Sequence, residues 1–383
     1  MFIFIADGEI FGPEPRGVQS LVISGNRIVR MGSADQGAFE ATGVPVEYID
    51  ASDCFVVPGL IDPHEHLLGG SGERGFATQT PEICLSELIT GGITTVVGCL
   101  GTNTTTKTLP GLLAKAKAFR EEGVTAYIYS GGYNVPPKTL TGCVRDDMLL
   151  IQEVIGAGEI AIADRRSTAP TIGELARIVQ DAYVGGTLSG KCGVTHFHVG
   201  EAPERLSTLR ALLDDYPIDP AQLYPTHVER SETLMQESIE LTHRGVTVDV
   251  DTVEQDLARW LHFYLENGGD PARLTVSSDA ALNSPATVLQ QIRSCVLKHG
   301  FALEAVLPLV TTNTARVLRL TGKGSLAEGW HADVLLLRKG SLELDTVISG
   351  GRVLMRGGTW RAVESFLTES NREVHLHGQK NNE

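Results

Sequence analysis

Histidines and carboxylates recur in this sequence at the ends of apolar, β-branched runs. His64 and His66 follow such a run at spacing i, i+2, so on an extended strand both imidazoles lie on the same side. The other residues of this kind are Glu159, His196, His198, His227 and Asp279. Imidazole and carboxylate groups bind zinc and similar divalent ions, and this set exceeds what one tetrahedral ion needs. The pattern predicts two divalent ions bridged by a carboxylate; spacing alone does not decide between His196 and His198.

The elements that must position these residues follow from alternation along the middle of the chain. Eight apolar runs are predicted as strands: Phe55–Ile61, Ile93–Leu100, Val124–Ser130, Glu159–Ala163, Val194–His198, Leu223–His227, Val246–Val250 and Leu274–Asp279. Helical patterns lie between most of them: Pro81–Thr90, Leu109–Glu122, Thr171–Val184, Ala202–Asp215, Ser231–His243 and Asp251–Asn267. Near-continuous apolar strands that alternate with helices predict a (β/α)8 TIM-like barrel, an α/β fold with its site at the carboxyl ends of the strands.

The two ends of the chain carry a different pattern of short strands separated by glycine and asparagine turns. The predicted strands are Val18–Ile23, Arg27–Met31, Ala332–Leu337, Leu342–Ile348 and Gly351–Met355. They predict one β domain completed by both ends, with the barrel inserted between them. We assign 1–57 plus 329–365 to this domain, 58–328 to the barrel and 366–383 to a polar tail.

Composition narrows the classes of partner. The 383 residues include 32 Lys and Arg against 47 Asp and Glu, a net charge of −15, which argues against nucleic acid or an anionic membrane as partner. The N-terminus lacks the basic start of a secretory signal, and no apolar stretch is long enough to span a membrane, so we expect a cytoplasmic protein. The six cysteines form no CxxC pair, so we expect reduced thiols.

Several motifs resemble a known family. The segment from Pro58 to His66, single histidines after strands 5 and 6, an aspartate after strand 8, and the segment from Thr314 to Asp333 resemble the amidohydrolase superfamily. Within it, five motifs are similar to isoaspartyl dipeptidase, which hydrolyses β-aspartyl peptide bonds at a binuclear zinc site: Gly69–Glu73, Gly131–Pro136, Asp164–Ser167, Thr195–Gly200 and Pro225–Arg230. The resemblance covers about residues 1–360. It implies that the β domain is a small β-sandwich and that the enzyme is a homo-oligomer.

The resemblance also implies roles for individual residues. The ligands of two zinc ions would be His64, His66, Glu159, His198, His227 and Asp279, which selects His198 over His196. Asp279 suits the general base that takes a proton from a metal-activated hydroxide or water and passes it to the leaving amine. The phenol of Tyr133 suits a donor to the carbonyl oxygen. A small dipeptide substrate would contact Ser71, Gly72, Glu73, Thr102, Tyr133, Arg166, Arg230 and Asn283, with Glu73 facing the ammonium and both arginines facing carboxylates.

Two departures from the family keep alternatives open. Glu159 stands where the family has a lysine carbamylated by CO₂, and Asn283 stands where it has a substrate-binding serine, in a shorter loop. The first alternative is therefore another amidohydrolase, acting on N-acyl amino acids or cyclic amides. The second is a non-catalytic barrel used for assembly, which the retained histidines and Asp279 oppose.

Overall fold

Residues 1–70 and 72–371 are described by the computed structural model of the chain. The predicted substrate-binding residue Ser71, and residues 372–383 of the predicted tail, lie outside the described residues. No helix in the described ranges is long and apolar enough to cross a bilayer.

The N-terminal residues form five strands and a short helix. They are β1 (Phe2–Phe11), β2 (Pro15–Ser24), β3 (Arg27–Gly32), α1 (Gln36–Glu40), β4 (Val46–Asp50) and β5 (Cys54–Pro58). Sequence analysis predicted neither β1 nor β4. Asp7-Gly8 interrupts the apolar pattern of β1 as a turn would, whereas the strand continues through this point with a shift in its register against β2.

Eight strands and eight helices follow. The strands are β6 (Leu60–Glu65), β7 (Ile93–Gly98), β8 (Thr125–Ser130), β9 (Val154–Ile162), β10 (Val194–Val199), β11 (Leu223–Thr226), β12 (Val248–Asp251) and β13 (Leu274–Ser277). The helices are α2 (Leu85–Thr90), α3 (Leu109–Glu122), α4 (Val144–Leu150), α5 (Ile172–Ser189), α6 (Ser207–Asp215), α7 (Glu232–His243), α8 (Leu257–Glu266) and α9 (Thr287–His299). Strands β6 to β11 form one parallel sheet, and β12 pairs in parallel with β13.

Backbone hydrogen bonds join β13 to β6 and so bring the last strand beside the first. Asp279 N–H donates to His64 O at 3.1 Å, and His66 N–H donates to Ala280 O at 3.0 Å. This closure places the residues that follow β13 next to the His-x-His pair of β6.

The chain then returns to the N-terminal strands. It passes through α10 (Leu303–Val306) and α11 (Thr312–Val317) to β14 (Val334–Arg338), β15 (Leu344–Ser349), β16 (Arg352–Arg356) and β17 (Thr359–Trp360). Because β14 pairs antiparallel with β5, both ends belong to one nine-stranded sheet. The predicted fold class is confirmed as a barrel of alternating strands and helices beside a separate sheet. The residue limits of the two domains stay a prediction.

Local signals explain where the helices begin and end. Helix α3 matches its predicted range: the Thr108 side chain accepts from Gly111 N–H before it, and Gly123 ends it at φ 104°. Helix α5 begins with a capping box between Thr171 and Glu174. Helix α4 was not predicted.

Two predicted strands differ most from the observed ones in their limits. The run Phe55–Ile61 divides at Gly59 into β5 of the terminal sheet and β6 of the barrel. A Cβ at Gly59 would lie 2.1 Å from Thr94 Oγ1, so the chain needs glycine where it passes between the two sheets. The strand predicted to begin at Glu159 begins at Val154 instead. The prediction missed its first half because that half contains two glycines, and glycine is depleted in strands.

Candidate functional site

The Glu159 carboxylate lies between two pairs of histidines at the carboxyl end of the barrel. Its Oε2 is 3.3 Å from His64 Nε2 and 3.7 Å from His66 Nε2. Its Oε1 is 2.7 Å from His198 Nδ1 and 3.2 Å from His227 Nε2. Each carboxylate oxygen therefore faces one pair of imidazoles, and one carboxylate can serve two cations.

An irregularity in β9 directs this side chain. The register pairs between β10 and β9 on either side of it are Thr195–Ala157 and Phe197–Ile160. Strand β9 therefore has one residue more than β10, and Gly158 and Glu159 together oppose His196. Such a bulge bends the strand and re-aims a side chain, and here it brings the Glu159 carboxylate to the histidines.

Glu159 is buried, yet the surroundings favour its charged form. Burial opposes ionisation, but His64 and His198 outweigh it and lower the pKa of Glu159 well below its usual range. The carboxylate can therefore offer a cation an anionic oxygen without modification.

Asp279 faces the first histidine pair. Its Oδ1 is 3.4 Å from His64 Nε2 and 3.2 Å from His66 Nε2. Burial raises the pKa of Asp279, but these histidines and His227 lower it by more than burial raises it, so the net shift is downward. Asp279 and His227 also adopt left-handed backbone conformations, with φ of 48° and 64°. Such conformations are costly for non-glycine residues and cluster at functional sites.

Two further carboxylates contact the second histidine pair, His198 and His227, on the side away from Glu159. Asp164 Oδ2 lies 3.0 Å from His198 Nε2, and Asp251 Oδ2 lies 2.6 Å from His227 Nδ1. In each imidazole one nitrogen faces Glu159, and the other nitrogen faces one of these two aspartates. Sequence analysis gave neither aspartate a role, although Asp251 ends β12 and the same strand-end rule applies to it.

The first pair has different surroundings. Neither ring nitrogen of His64 makes a hydrogen bond in the described part of the chain, although the residue is fully buried. His66 Nδ1 lies 3.7 Å from the thiol of Cys99, whose sulfur is 4.0 Å from Glu159 Oε2. Buried polar atoms without hydrogen bonds are costly, and a cation held by Nε2, which faces Glu159 and Asp279, would remove that cost at this nitrogen. The donor set therefore fits divalent ions.

His196 lies outside this arrangement. Its Nδ1 is 2.9 Å from Tyr224 O, and its ring stacks on Tyr129 with centroids 5.1 Å apart. The ring packs edge-on against His64, with 4.8 Å between centroids. It therefore supports the site from the barrel interior, whereas His198 faces Glu159.

Tyr133 lies against the second histidine pair. Its hydroxyl is 2.7 Å from His198 Nδ1, and the side chain is buried. Burial, together with the charge of Glu159, raises the pKa of Tyr133 well above its ordinary value. The phenol is therefore neutral near pH 7 and can donate a hydrogen bond.

A cavity of about 600 Å³ opens over these groups. Six of the eight predicted substrate-binding residues line it: Glu73, Thr102, Tyr133, Arg166, Arg230 and Asn283. His66 and Asp279 form part of its floor. Gly72 lies in the adjoining loop with φ 86°, where a Cβ would come within 2.8 Å of Gln79 Cγ.

The two arginines differ in their surroundings. Arg166 Nη1 is 2.7 Å from Glu73 Oε1, and Arg166 Nη2 is 2.7 Å from Asp164 Oδ2, so two carboxylates fix the guanidinium. Arg230 is exposed at the rim and has no ion-pair partner among the described residues. Arg230 is thus free to bind an anion.

Asn283 directs its amide nitrogen into its own loop. Nδ2 donates to Ser278 O at 2.7 Å and to Thr287 Oγ1 at 3.2 Å. Oδ1 is buried and has no partner in the described ranges. Both hydrogens of the amide nitrogen are thus engaged within the loop.

Residues 55–189 and 195–354 match the amidohydrolase family. The chain belongs to this family. Within it, the amidohydrolase is similar to a β-aspartyl dipeptidase from Fervidobacterium islandicum AW-1, with 39% identity, a TM-score of 0.90, and coverage of 95% of this chain and 99% of that one. The structure of that dipeptidase in complex with β-Asp-Leu gives a TM-score of 0.89 at the same identity and coverage.

More distant similarities concern the fold or a short stretch. An atrazine chlorohydrolase from Arthrobacter aurescens TC1 shares the fold at 16% identity, with a TM-score of 0.65 and coverage of 96% and 98% of the two chains. An imidazolonepropionase from Alkaliphilus oremlandii is 32% identical over 122 residues, which span 30% of this amidohydrolase but only 28% of that protein. The family and the dipeptidase match confirm the predicted resemblance and support a hydrolase.

Proposed function

We propose that the chain is a zinc-dependent β-aspartyl (isoaspartyl) dipeptidase that holds two divalent ions. The observation that carries the proposal is the position of Glu159, with one oxygen towards each histidine pair. His64, His66 and Asp279 would hold one ion, and His198 and His227 the other, with Glu159 shared between them.

Hydrolysis of an amide needs an activated water, a polarised carbonyl and a proton for the leaving amine. Two divalent ions held by these residues would polarise the carbonyl and lower the pKa of the attacking water. Asp279 accepts the proton of the attacking water and delivers it to the amine nitrogen. Only an ionised carboxylate can accept that proton, and the lowered pKa of Asp279 keeps it ionised. Tyr133 donates its hydroxyl hydrogen to the carbonyl oxygen as negative charge develops there.

The charges of the cavity match those of a β-aspartyl dipeptide, which carries an α-ammonium group and two carboxylates. Glu73 supplies a carboxylate for the ammonium group. Arg166 and Arg230 supply guanidinium groups for the carboxylates, with Arg166 held in place by Asp164 at 2.7 Å. Because the net charge of −15 repels an acidic substrate at long range, these arginines must act at contact distance.

A second candidate is an amidohydrolase acting on N-acyl amino acids or cyclic amides. Asn283 favours it, because its amide nitrogen is engaged with Ser278 O at 2.7 Å rather than directed at a ligand. A non-catalytic assembly role is opposed by the histidine and carboxylate groups, which lie close enough together to hold a metal ion.

Turnover of a substrate panel by the zinc-loaded protein separates these candidates. The panel contains β-Asp-Leu, α-Asp-Leu, N-acetyl-leucine and a cyclic amide such as dihydrouracil. We expect kcat/KM for β-Asp-Leu to exceed each of the others by at least about 100-fold, since a site that pairs charged groups rejects analogues that leave them unpaired. Preference for N-acetyl-leucine or dihydrouracil would support the second candidate, and zinc binding without turnover would support the assembly role.

A further inference from the structure

The two ring nitrogens of His227 face different carboxylates. Nε2 faces Glu159 Oε1 at 3.2 Å, and Nδ1 faces Asp251 Oδ2 at 2.6 Å. An imidazole can bind a cation through Nε2 only if that nitrogen carries no proton, so the proton must reside on Nδ1. Asp251 Oδ2 accepts a hydrogen bond from that Nδ1–H.

The second oxygen of Asp251 has its own fixed partner. Oδ1 accepts from Val253 N–H at 2.8 Å, and the side chain is nearly buried, with 9% of its surface exposed. Oδ1 of Asp251 is therefore engaged by the backbone and Oδ2 by His227. The buried carboxyl of Glu229 lies against the same carboxylate.

From this arrangement we infer that Asp251 is a positioning residue: it fixes the His227 tautomer and thereby retains the cation held by His198 and His227. The inference rests on the proposed function, since it presumes that these histidines bind zinc. Carboxylates behind metal-binding histidines commonly contribute 10- to 100-fold in metal affinity.

The two oxygens of Asp251 make the effect of an isosteric change predictable. In Asp251→Asn, Val253 N–H still needs an acceptor, so the amide oxygen stays there and Nδ2 faces His227. That nitrogen donates to Nδ1, which imposes the tautomer with a proton on Nε2 and opposes cation binding. Asp251→Ala removes the oxygen that faces His227 and the oxygen that faces Val253 N–H, so His227 is free to adopt either tautomer. The smaller change in shape should thus have the larger effect on zinc.

A matched control is available in the same strand. The buried Asp249 carboxylate accepts from the hydroxyls of Thr226, Thr275 and Ser277 at 2.8, 2.6 and 2.6 Å, and its hydrogen-bond partners do not include the histidines among the described residues. Asp249→Asn disturbs a buried carboxylate network of β12 without changing what His227 meets.

The test is a zinc titration in competition with a chromophoric chelator, on the parent protein and the three variants. We expect two zinc ions per chain in the parent, one of them weakened by at least 10-fold in Asp251→Ala and more strongly in Asp251→Asn. Asp249→Asn should lower the midpoint of thermal unfolding and leave both zinc affinities as in the parent.

Several results would overturn the inference: equal affinities in all proteins, weakening of both ions alike, or a larger effect of alanine than of asparagine. If Asp251→Asn does not fold, the alanine variant carries the test through selective weakening of one ion. A parent protein that binds no zinc would contradict the proposed function itself, whereas two ions bound with parent affinity in every variant would contradict only the role of Asp251.

Discussion

Replacing Glu159 with glutamine removes the charge that both histidine pairs share while keeping nearly the same volume. The 3.3 Å between Glu159 Oε2 and His64 Nε2 is an upper limit for the distance from that oxygen to a cation held by both groups. At that distance one unit charge acts on another with about 5 kcal/mol through an effective dielectric constant of ~20. Since ~1.4 kcal/mol corresponds to a tenfold change in affinity, the loss is on the order of 10³-fold. We expect at least one zinc ion to leave during dialysis.

The assay for Glu159→Gln is zinc content by elemental analysis, with chelator competition for the ion that remains. Glu153→Gln is the matched control, because Glu153 directly precedes β9, is largely buried and pairs with Lys117 Nζ at 2.9 Å outside the site. It should keep both ions. Full zinc occupancy in Glu159→Gln would refute the shared role of this carboxylate.

A second arm of this experiment tests whether Glu159 acts without modification. A glutamate is ionised without CO₂, so zinc reconstitution of the parent protein should be equally fast and complete with and without bicarbonate. Activation that depends on bicarbonate would refute the assignment, because it would require a carbamylated lysine in place of Glu159.

Three further variants test the chemistry. Asp279→Asn should lower kcat by ~10²–10⁴ with the fold intact, because an amide cannot accept the proton; retention of more than about a tenth of the rate would exclude Asp279 as the sole base. Tyr133→Phe should lower kcat by ~10²–10³ with little change in KM, and an unchanged kcat would remove the phenol from the transition state. Arg230→Lys should lower kcat/KM for β-Asp-Leu by at least about tenfold without moving the unfolding midpoint, because lysine lacks the planar fork; equal kinetics would make Arg230 a surface charge.

The sequence was sufficient to predict much of the site because parallel strands end at the same rim of a barrel. A polar residue after each apolar run is therefore placed near the others by topology alone, which is how His64, His198 and Asp279 come together. Asp251 was not among the predicted site residues because the predicted strand stopped at Val250, one residue short of the end of β12.

Other features depend on contacts between distant segments. The bulge at Glu159 is a difference in length between β9 and β10, and neither strand reveals it by itself. The Asp164 contact with His198 depends on a left-handed turn at Ala163, with φ 50°, where alanine gives no local signal. The expected homo-oligomer and cytoplasmic location stay predictions.

The most direct measurement of the central claim is the recovery of β-Asp-Leu hydrolysis as zinc is returned to the stripped protein. Two ions shared through Glu159 predict activity that rises with added zinc and reaches its plateau at two equivalents per chain. Full activity at one equivalent, or activity that does not depend on added zinc, would contradict the account.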